Sequence, residues 1–311
     1  MARWLSSSGV DQIILAVNHF SDRLKVEIGH RLGGITVAYS VEEMPLGTAG
    51  PIRLAADLLS KHDPFFVVNG DIVSNIDVSG MLALHKEKKA DATIALVSVP
   101  DPSPYGSVLT DSNGIVRKFE EKAKLLSAGS LVNAGVYVLS PSVLGSIPAG
   151  RSVSLERDIF PRLVENGRMQ AWRHDGFWYD IGRVSEYVRT NKELLEKQEV
   201  KPGELRDNSR HAVQVVQPAY LGSKSRLGVG ARVGPFTILS NNVTVGDGAI
   251  VRNSIVFEET RIGEKCVVED AVIGERVTIG PGTIIGRGSI IAGQISIPDK
   301  SEVPPDSVIL C

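Results

Sequence analysis

The sequence predicts two regions of different fold class: an α/β domain with a mixed, mainly parallel sheet, followed by a parallel β-helix. Two observations lead to this prediction. In the first two thirds of the chain, short apolar segments alternate with stretches of helical periodicity. In the last third, aliphatic residues recur at almost constant intervals, and only Phe236 and Phe257 are aromatic after Tyr220. We expect domains at 1–200 and 220–311, joined by a polar linker at 201–219.

Composition and charge narrow the class of protein. The chain has 311 residues and a formal net charge of −2, so it carries no basic excess to neutralise nucleic-acid phosphates. Apolar runs such as Ile13–Val17 are far shorter than the ~20 residues of a membrane-spanning helix, and no signal-peptide pattern is present. Cys266 and Cys311 form neither a disulfide framework nor a metal site. We therefore expect a cytoplasmic protein that binds neither nucleic acid nor membrane.

Alternating elements predict the α/β domain. Short segments rich in Val, Ile and Phe predict strands at 13–17, 35–40, 65–68, 92–99, 107–110, 115–119 and 132–139. Helical periodicity predicts helices at 22–32, 51–61, 78–89, 155–166 and 185–197. Pro51 suits the first position of its helix, where the missing N–H carries no penalty. Such alternation favours a parallel or mixed sheet with helices on both faces.

The C-terminal third is an internal repeat, which identifies its fold. Eleven of the thirteen intervals between its regularly spaced apolar residues are six residues long, and the other two are five. These residues are Leu221, Leu227, Val233, Leu239, Val245, Val251, Phe257, Ile262, Val268, Ile273, Ile279, Ile285, Ile291 and Ile297. A six-residue period fits a parallel β-helix in which three hexads close one triangular coil around the apolar residues. Fourteen hexads correspond to between four and five coils, and a β-sandwich with evenly spaced strands is the alternative.

Several polar or glycine-containing motifs follow predicted strands, where ligands bind in open α/β sheets. The loop Pro45–Gly50 leads into a helix N-terminus, whose free N–H groups favour a polar or anionic ligand. Asn69-Gly70-Asp71 ends an apolar strand, and the Asp71 carboxylate suits Mg²⁺. Each motif also has a simpler interpretation as a turn or a helix cap. None of them identifies a function by itself.

Three further motifs carry polar groups in apolar surroundings or at strand ends. Glu121 and Lys122 close a strand, where a solvated turn is the simpler interpretation. Gly135 lies beside Asn133 within an apolar strand and costs stability there unless a ligand or another backbone approaches closely. Asp180 lies in the apolar segment Trp178–Gly182, where an unpaired carboxylate is costly and a nearby cation would remove that cost. The six histidines show no metal-ligand spacing.

In their order along the chain, these motifs resemble those of the sugar-1-phosphate nucleotidyltransferases, most closely the mannose-1-phosphate guanylyltransferase branch with its C-terminal hexapeptide β-helix. The matching segments are 9–11, Pro45–Pro51, Asn69–Asp71, Tyr105-Gly106, Phe119–Lys122, Asn133–Tyr137, Ser154–Pro161 and Trp178–Gly182. The resemblance covers essentially the whole chain. It implies a Rossmann-like first domain, a left-handed β-helix, and transfer of a nucleotidyl group from a nucleoside triphosphate to a sugar 1-phosphate.

The resemblance also implies roles for individual residues. Asp71, Asp180 and Lys122 would be catalytic, with both aspartates holding Mg²⁺. Nucleotide binding would involve Pro45, Leu46, Gly47, Thr48, Gly50, Asn69 and Gly70. Sugar-phosphate binding would involve Tyr105, Gly106, Glu121, Lys122, Asn133, Gly135 and Glu156. GTP and mannose 1-phosphate are the expected substrates. Thymidylyl, uridylyl or adenylyl transfer to glucose 1-phosphate are alternatives that proteins with the same fold carry out.

The sequence departs from the family at its start and at one loop position. It lacks the opening Gly-Gly-x-Gly-Thr-Arg-Leu signature, which favours a late start over a shortened paralogue, and Ala123 replaces a usual Pro. A regulatory subunit that binds nucleotide-sugar without catalysis is therefore an alternative. Acyl transfer is disfavoured because no histidine follows His211. We expect the β-helix to support a homo-oligomer.

Overall fold

The computed structural model describes residues 1–18, 21–59, 64–120, 130–197 and 213–310. It contains two compact units, Met1–Gly182 and Arg183–Cys311. Across these ranges, no helix combines the length and apolarity needed to cross a bilayer.

The first unit contains six α-helices and eleven strands within the described ranges. The helices are α1 (Ala2–Ser7), α2 (Ser21–Ile28), α3 (Gly50–Leu54), α4 (Ala56–Leu59), α5 (Val78–Lys88) and α6 (Phe160–Glu165), with a 3₁₀ turn at Pro141–Ser146 and a π-helical turn at Leu155–Ile159. The strands are β1 (Gln12–Val17), β2 (Arg31–Leu32), β3 (Ile35–Val41), β4 (Phe65–Val68), β5 (Ile72–Ser74), β6 (Ala92–Ser98), β7 (Ser107–Thr110), β8 (Val116–Glu120), β9 (Leu131–Leu139), β10 (Met169–His174) and β11 (Trp178–Asp180).

The strands of the first unit confirm a mixed sheet. The larger sheet has the order β10-β6-β9-β7-β8, with β4 also paired to β9, and a smaller sheet has the order β1-β3-β2. Strands β6 and β10 are parallel, as are β1 and β3. Strand β9 is antiparallel to both β4 and β6, which therefore point the same way. Among the described strands, β1 pairs with β3 alone and β4 with β9 alone, so each has one edge without a strand partner.

The structure corrects the predicted helix at 22–32. The helix ends at Ile28, and Arg31–Leu32 forms a short strand antiparallel to β3. Gly33 and Gly34 have φ angles of +58° and +93°, so they form a two-residue hairpin turn that only residues tolerant of positive φ adopt readily. The predicted helix was too long because Leu32, which lies in the hairpin, occupies an apolar position of the helical spacing.

The core of the first unit lies around β6 and β9. Ile94 and Leu96 on β6 and Tyr137 and Leu139 on β9 are almost fully buried, and they pack with Phe160 of α6. A shift of a strand by one residue would expose part of this apolar layer, so the layer holds the strands in register. It thereby positions the loops that follow the strands.

The second unit consists of one helix and a parallel β-helix. The helix is α7 (Val184–Glu196). Seventeen short strands follow in chain order: β12 (Gln214–Val215), β13 (Ala219–Leu221), β14 (Arg226–Leu227), β15 (Arg232–Val233), β16 (Thr237–Leu239), β17 (Thr244–Val245), β18 (Ile250–Arg252), β19 (Ile255–Val256), β20 (Arg261–Ile262), β21 (Val267–Glu269), β22 (Val272–Ile273), β23 (Thr278–Ile279), β24 (Ile284–Ile285), β25 (Ile290–Ile291), β26 (Ser296–Ile297), β27 (Glu302–Val303) and β28 (Val308–Ile309).

These strands form three parallel sheets, which are the three faces of the β-helix. The β12 face has the order β12-β15-β18-β21-β24-β27, the β13 face has the order β13-β16-β19-β22-β25-β28, and the β14 face has the order β14-β17-β20-β23-β26. The prediction of a parallel β-helix from the hexad spacing is confirmed. The observed solenoid adds one strand before the fourteen predicted hexads and two strands after them.

The register of one coil differs from the prediction. Phe257 was expected inside the solenoid, but Val256 occupies the inward position and is fully buried. Phe257 lies on the outside, where its ring stacks on Tyr187 of α7 with the ring centroids 6.3 Å apart. The interior of a narrow coil accommodates an aliphatic side chain more easily than a phenyl ring, so the first of the two five-residue intervals falls between Val251 and Val256 rather than between Phe257 and Ile262.

Candidate active site

Two aspartates meet where strand β11 pairs with β5. Asp180 lies opposite Ile72 in this antiparallel pair, and the Ile181 N–H donates to the carbonyl oxygen of Asp71 over 2.9 Å. A Cβ atom added to Gly182 would lie 2.8 Å from Asp71 Oδ2 and 3.2 Å from Asp180 Oδ1. The two carboxylate oxygens therefore approach one point and are at most about 6 Å apart, the sum of these distances.

This donor set fits a divalent cation that takes most of its ligands from elsewhere. Asp71 is exposed and Asp180 is half-buried, so both carboxylates reach solvent. In the part of the chain that the structure describes, no cluster of three or more His, Cys, Asp or Glu side chains forms a metal site. Two carboxylates with room for substrate oxygens and water match the preference of Mg²⁺ better than that of a structural metal.

The loop Pro45–Gly50 is fixed by the segment that precedes the π-helical turn. The Ala49 N–H donates to the Val153 carbonyl and the Val153 N–H donates to the Leu46 carbonyl, each over 2.9 Å. Gly47 has φ of +76°, and an added Cβ would lie 2.5 Å from the Val153 oxygen. The glycine at 47 is therefore required by close backbone packing, with the adjacent Pro45 and Thr48 left exposed.

Glu156 links this loop to the middle of β9. Thr48 Oγ1 donates to Glu156 Oε2 over 2.7 Å, and Ser154 Oγ donates to the same oxygen over 2.9 Å. On the other side, the Tyr137 hydroxyl donates to Glu156 Oε1 over 3.4 Å. Burial raises the pKa of the Tyr137 phenol, and the neighbouring Glu156 charge raises the pKa further. The phenol therefore remains a hydrogen-bond donor across the physiological pH range.

Asn133, Gly135 and Asn69 form the opposite wall. Asn133 Nδ2 donates to the Tyr137 hydroxyl over 2.8 Å, while Asn133 Oδ1 accepts from the Gly135 N–H over 3.0 Å. Gly135 has φ of +69°, and an added Cβ would lie 2.7 Å from Asn69 Nδ2. The glycine inside β9 thus allows the close approach that its position in an apolar strand predicts.

These elements line a cavity of about 230 Å³ that is open on one side. Eight of the predicted site residues line it: Thr48, Asn69, Tyr105, Gly106, Asn133, Gly135, Glu156 and Asp180. Ile72, Pro104, Phe119 and Trp178 also line it. Tyr105 packs its ring edge-on against Trp178 with centroids 5.2 Å apart, and Trp178 Nε1 donates to the Ala134 carbonyl over 2.8 Å. An aromatic wall therefore stands beside the polar one.

The other predicted site residues lie next to the cavity or outside the described chain. Pro45, Leu46, Gly47 and Gly50 belong to the loop that carries Thr48, and Gly70 and Asp71 follow Asn69. Glu121 and Lys122 lie outside the described residues. The contribution of Trp178 was not predicted, although its position two residues before Asp180 in an apolar strand was a usable signal.

Comparisons with known proteins show the family of this chain. Residues 1–197 match the nucleotidyl transferase family, and residues 215–310 match the GMPPB C-terminal domain. The chain is 30% identical over 282 residues to "Probable mannose-1-phosphate guanylyltransferase 3" of Oryza sativa subsp. japonica, covering 86% of this chain and 74% of the relative. It is 34% identical over 281 residues to a protein of the same description in Arabidopsis thaliana, covering 83% and 84% of the two chains.

A solved structure supports the fold of the first unit. The crystal structure of HddC from Yersinia pseudotuberculosis is 26% identical, with a TM-score of 0.53, and the match covers 60% of this chain and 80% of that one. The same protein complexed with GMP-PN gives the same values. Proteins of the matched family use a divalent metal, in keeping with the paired aspartates. The chain belongs to the nucleotidyl transferase family and carries a GMPPB C-terminal domain after its nucleotidyl transferase domain.

Proposed function

We propose that this protein transfers a guanylyl group from GTP to mannose 1-phosphate, giving GDP-mannose and pyrophosphate, with Mg²⁺ as the metal. The observation that carries the proposal is the approach of Asp71 and Asp180 to one point beside a cavity lined by Asn133, Gly135 and Glu156. The names of the relatives from rice and Arabidopsis support the choice of base and sugar.

The proposed reaction is a single in-line displacement. A phosphate oxygen of mannose 1-phosphate attacks the α-phosphorus of GTP, the new P–O bond forms, and the bond to the β-phosphate oxygen breaks as pyrophosphate leaves. No covalent enzyme intermediate is needed. Catalysis then depends on positioning and on neutralising phosphate charge, as in other phosphoryl transfers.

The chain's own residues have separate tasks in this proposal. Asp71 and Asp180 hold Mg²⁺, which supplies positive charge to the reacting phosphates when bound. Glu156 and Asn133 orient the sugar hydroxyls, since both line the cavity. Tyr105 and Trp178 form an aromatic wall of the cavity, against which the substrate packs. Lys122 and Glu121 are proposed to bind the sugar phosphate.

We also propose a division of the chain into a transferase domain at 1–200, a linker that begins at 201, and a β-helix that extends to 311 and has β12 (Gln214–Val215) as its first strand. The β-helix is proposed to support self-association of a cytoplasmic enzyme. Its long regular faces support this proposal, since they present extended surfaces to a partner.

Pyrophosphate release tests the proposed activity. The protein would be assayed with Mg²⁺ and each combination of GTP, ATP, UTP or dTTP with mannose 1-phosphate or glucose 1-phosphate. We expect GTP with mannose 1-phosphate to give the highest kcat/KM. A higher kcat/KM for another pair would contradict the assigned substrates. Saturable binding of GDP-mannose without pyrophosphate release from any pair would contradict catalysis and favour a regulatory subunit.

A further inference from the structure

The side chain of Thr48 is engaged by the segment that follows Val153. Its Oγ1 donates to Glu156 Oε2 over 2.7 Å and accepts from the Leu155 N–H over 2.8 Å. A threonine hydroxyl carries a single proton, so this proton is already used within the protein. The resemblance to the family implies nucleotide binding for Thr48, whereas its hydrogen bonds connect it to Glu156.

Hydroxyl groups hold the carboxylate of Glu156. Thr48 and Ser154 donate to its Oε2, and Tyr137 donates to its Oε1. Within the described ranges, Glu156 forms no ion pair with a lysine or an arginine. A carboxylate accepts about four hydrogen bonds, so these three leave capacity for a ligand hydroxyl in the cavity. The orientation of this carboxylate therefore depends on its hydroxyl donors.

Among these donors, Thr48 is the one that comes from the loop Pro45–Gly50. Ser154 lies two residues before Glu156 and restrains it only locally. Thr48 lies 108 residues away in the chain and fixes Glu156 against the loop. The two backbone hydrogen bonds between the loop and Val153 do not involve the Thr48 side chain. Loss of the Thr48 hydroxyl should therefore release Glu156 without releasing the loop.

We propose that Thr48 is a positioning residue for the sugar 1-phosphate, which it serves by holding Glu156, and that its side chain does not bind the nucleotide. The inference rests on the proposed function and specifies which substrate this side chain serves. Thr48 and Glu156 both line the cavity, so the hydroxyl acts beside the sugar rather than at a distance. A carboxylate that is already held in its binding orientation loses less conformational entropy when the sugar binds.

Kinetics of pyrophosphate release on the full protein test the proposal with Thr48→Val, which removes the hydroxyl and keeps the shape of the side chain. We expect KM for mannose 1-phosphate to rise at least about fivefold, the scale of one hydrogen bond, and KM for GTP to change less than about twofold. Thr48→Ser, which keeps the hydroxyl, should restore both values to within about twofold. The matched control is Thr278→Val, at an exposed threonine of β23, which should change neither KM.

A double-mutant cycle with Glu156→Ala shows whether Thr48 acts through that carboxylate. When Glu156 is absent, Thr48→Val should change KM for mannose 1-phosphate by less than about twofold further, because the group that Thr48 positions is no longer there. A rise in KM that persists in the Glu156→Ala background would overturn the positioning role and indicate direct contact between Thr48 and the substrate.

The remaining outcomes separate this inference from the proposed function. A larger rise in KM for GTP than for mannose 1-phosphate would assign Thr48 to the nucleotide and overturn the inference. Unchanged KM values in Thr48→Val, or no rescue by Thr48→Ser, would also overturn it. Absence of pyrophosphate release from the unmodified protein would contradict the proposed function. Titration calorimetry with mannose 1-phosphate and with GTP then tests Thr48 by the same comparison of variants, with Kd in place of KM.

Discussion

The β-helix and the first unit differ in how their strands pair and in what their interiors contain. In the β-helix, the described strands pair with the equivalent strands one coil away, and a column of aliphatic residues from each of the three faces fills the interior. In the first unit, the pairing changes direction, β1 and β4 each have an edge without a partner among the described strands, and polar side chains meet around a cavity. Repetition yields a regular scaffold, whereas the cavity depends on contacts between distant segments such as Thr48 and Glu156, 108 residues apart.

The largest effect is expected from the aliphatic interior of the β-helix. Ile285 is 1% exposed, and its neighbour Ile284 points outward and is 45% exposed. Ile285→Ala should lower the free energy of unfolding by about 2–5 kcal/mol, because it leaves a cavity in a narrow interior. Ile284→Ala, the matched control, should lower it by less than about 1 kcal/mol. Denaturant unfolding of both variants measures the difference, and equal losses would contradict the assigned register.

The first unit is tested at its paired aspartates. Asp71→Asn or Asp180→Asn should lower kcat for pyrophosphate release by at least ~10²-fold, the scale of losing one electrostatic stabiliser. Asp175→Asn is the control, since Asp175 is 82% exposed and pairs with Arg173 outside the cavity. An unchanged rate for Asp180→Asn at saturating Mg²⁺ would rule out its role as a metal ligand.

The same contrast determines how much could be predicted from sequence. The hexads predict the solenoid because each coil repeats one local rule, and the single wrong position, Phe257, arose where two neighbouring residues were both large and apolar. In the first unit, seven of the eleven described strands were predicted from local composition, and β2, β5, β10 and β11 were missed. The Arg31–Leu32 strand was missed because the hairpin depends on Gly33 and Gly34 rather than on the apolar spacing.

The site could be predicted only in part. The position of Asn69-Gly70-Asp71 at the end of an apolar strand and the glycine within β9 pointed to ligand binding or close packing. Nothing in the local sequence shows that Thr48 bonds Glu156, or that Val153 holds the loop at Gly47, because both contacts join segments about a hundred residues apart. Only the resemblance of the whole ordered motif set brought these segments together before the structure did.

A smaller effect is expected at Tyr137, whose hydroxyl connects the two polar walls of the cavity. Tyr137→Phe removes a donor to Glu156 and an acceptor for Asn133, and a net loss of about 1 kcal/mol is typical of such hydrogen bonds. We expect KM for mannose 1-phosphate to rise about fivefold, with KM for GTP changed less than twofold. Equal rises in both KM values would indicate a general loss of structure.

The smallest effect concerns the pH dependence of the β-helix. Hydrogen bonds and charge from Arg252, and then Arg287, hold the pKa of Glu269 below its ordinary value. The ionised form of Glu269 is therefore favoured in the folded state. The stability that this carboxylate contributes is fully present above the ordinary glutamate pKa and is lost as the pH falls through the lowered pKa of the folded state. Melting temperatures from pH 3 to 7 should fall less steeply toward acid in Glu269→Gln than in the unmodified protein. Parallel curves would contradict this linkage.

Titration calorimetry with GDP-mannose and Mg²⁺ tests the central claim most directly, because it measures whether the cavity beside Asp180 binds a sugar nucleotide. The control pair is Glu156→Ala in the cavity and Glu165→Ala on the exposed side of α6. We predict one site per chain, with affinity at least about tenfold weaker for Glu156→Ala, the scale of a hydrogen bond to a charged group, and unchanged for Glu165→Ala. Absence of binding, or equal affinity in both variants, would contradict the assignment of the cavity.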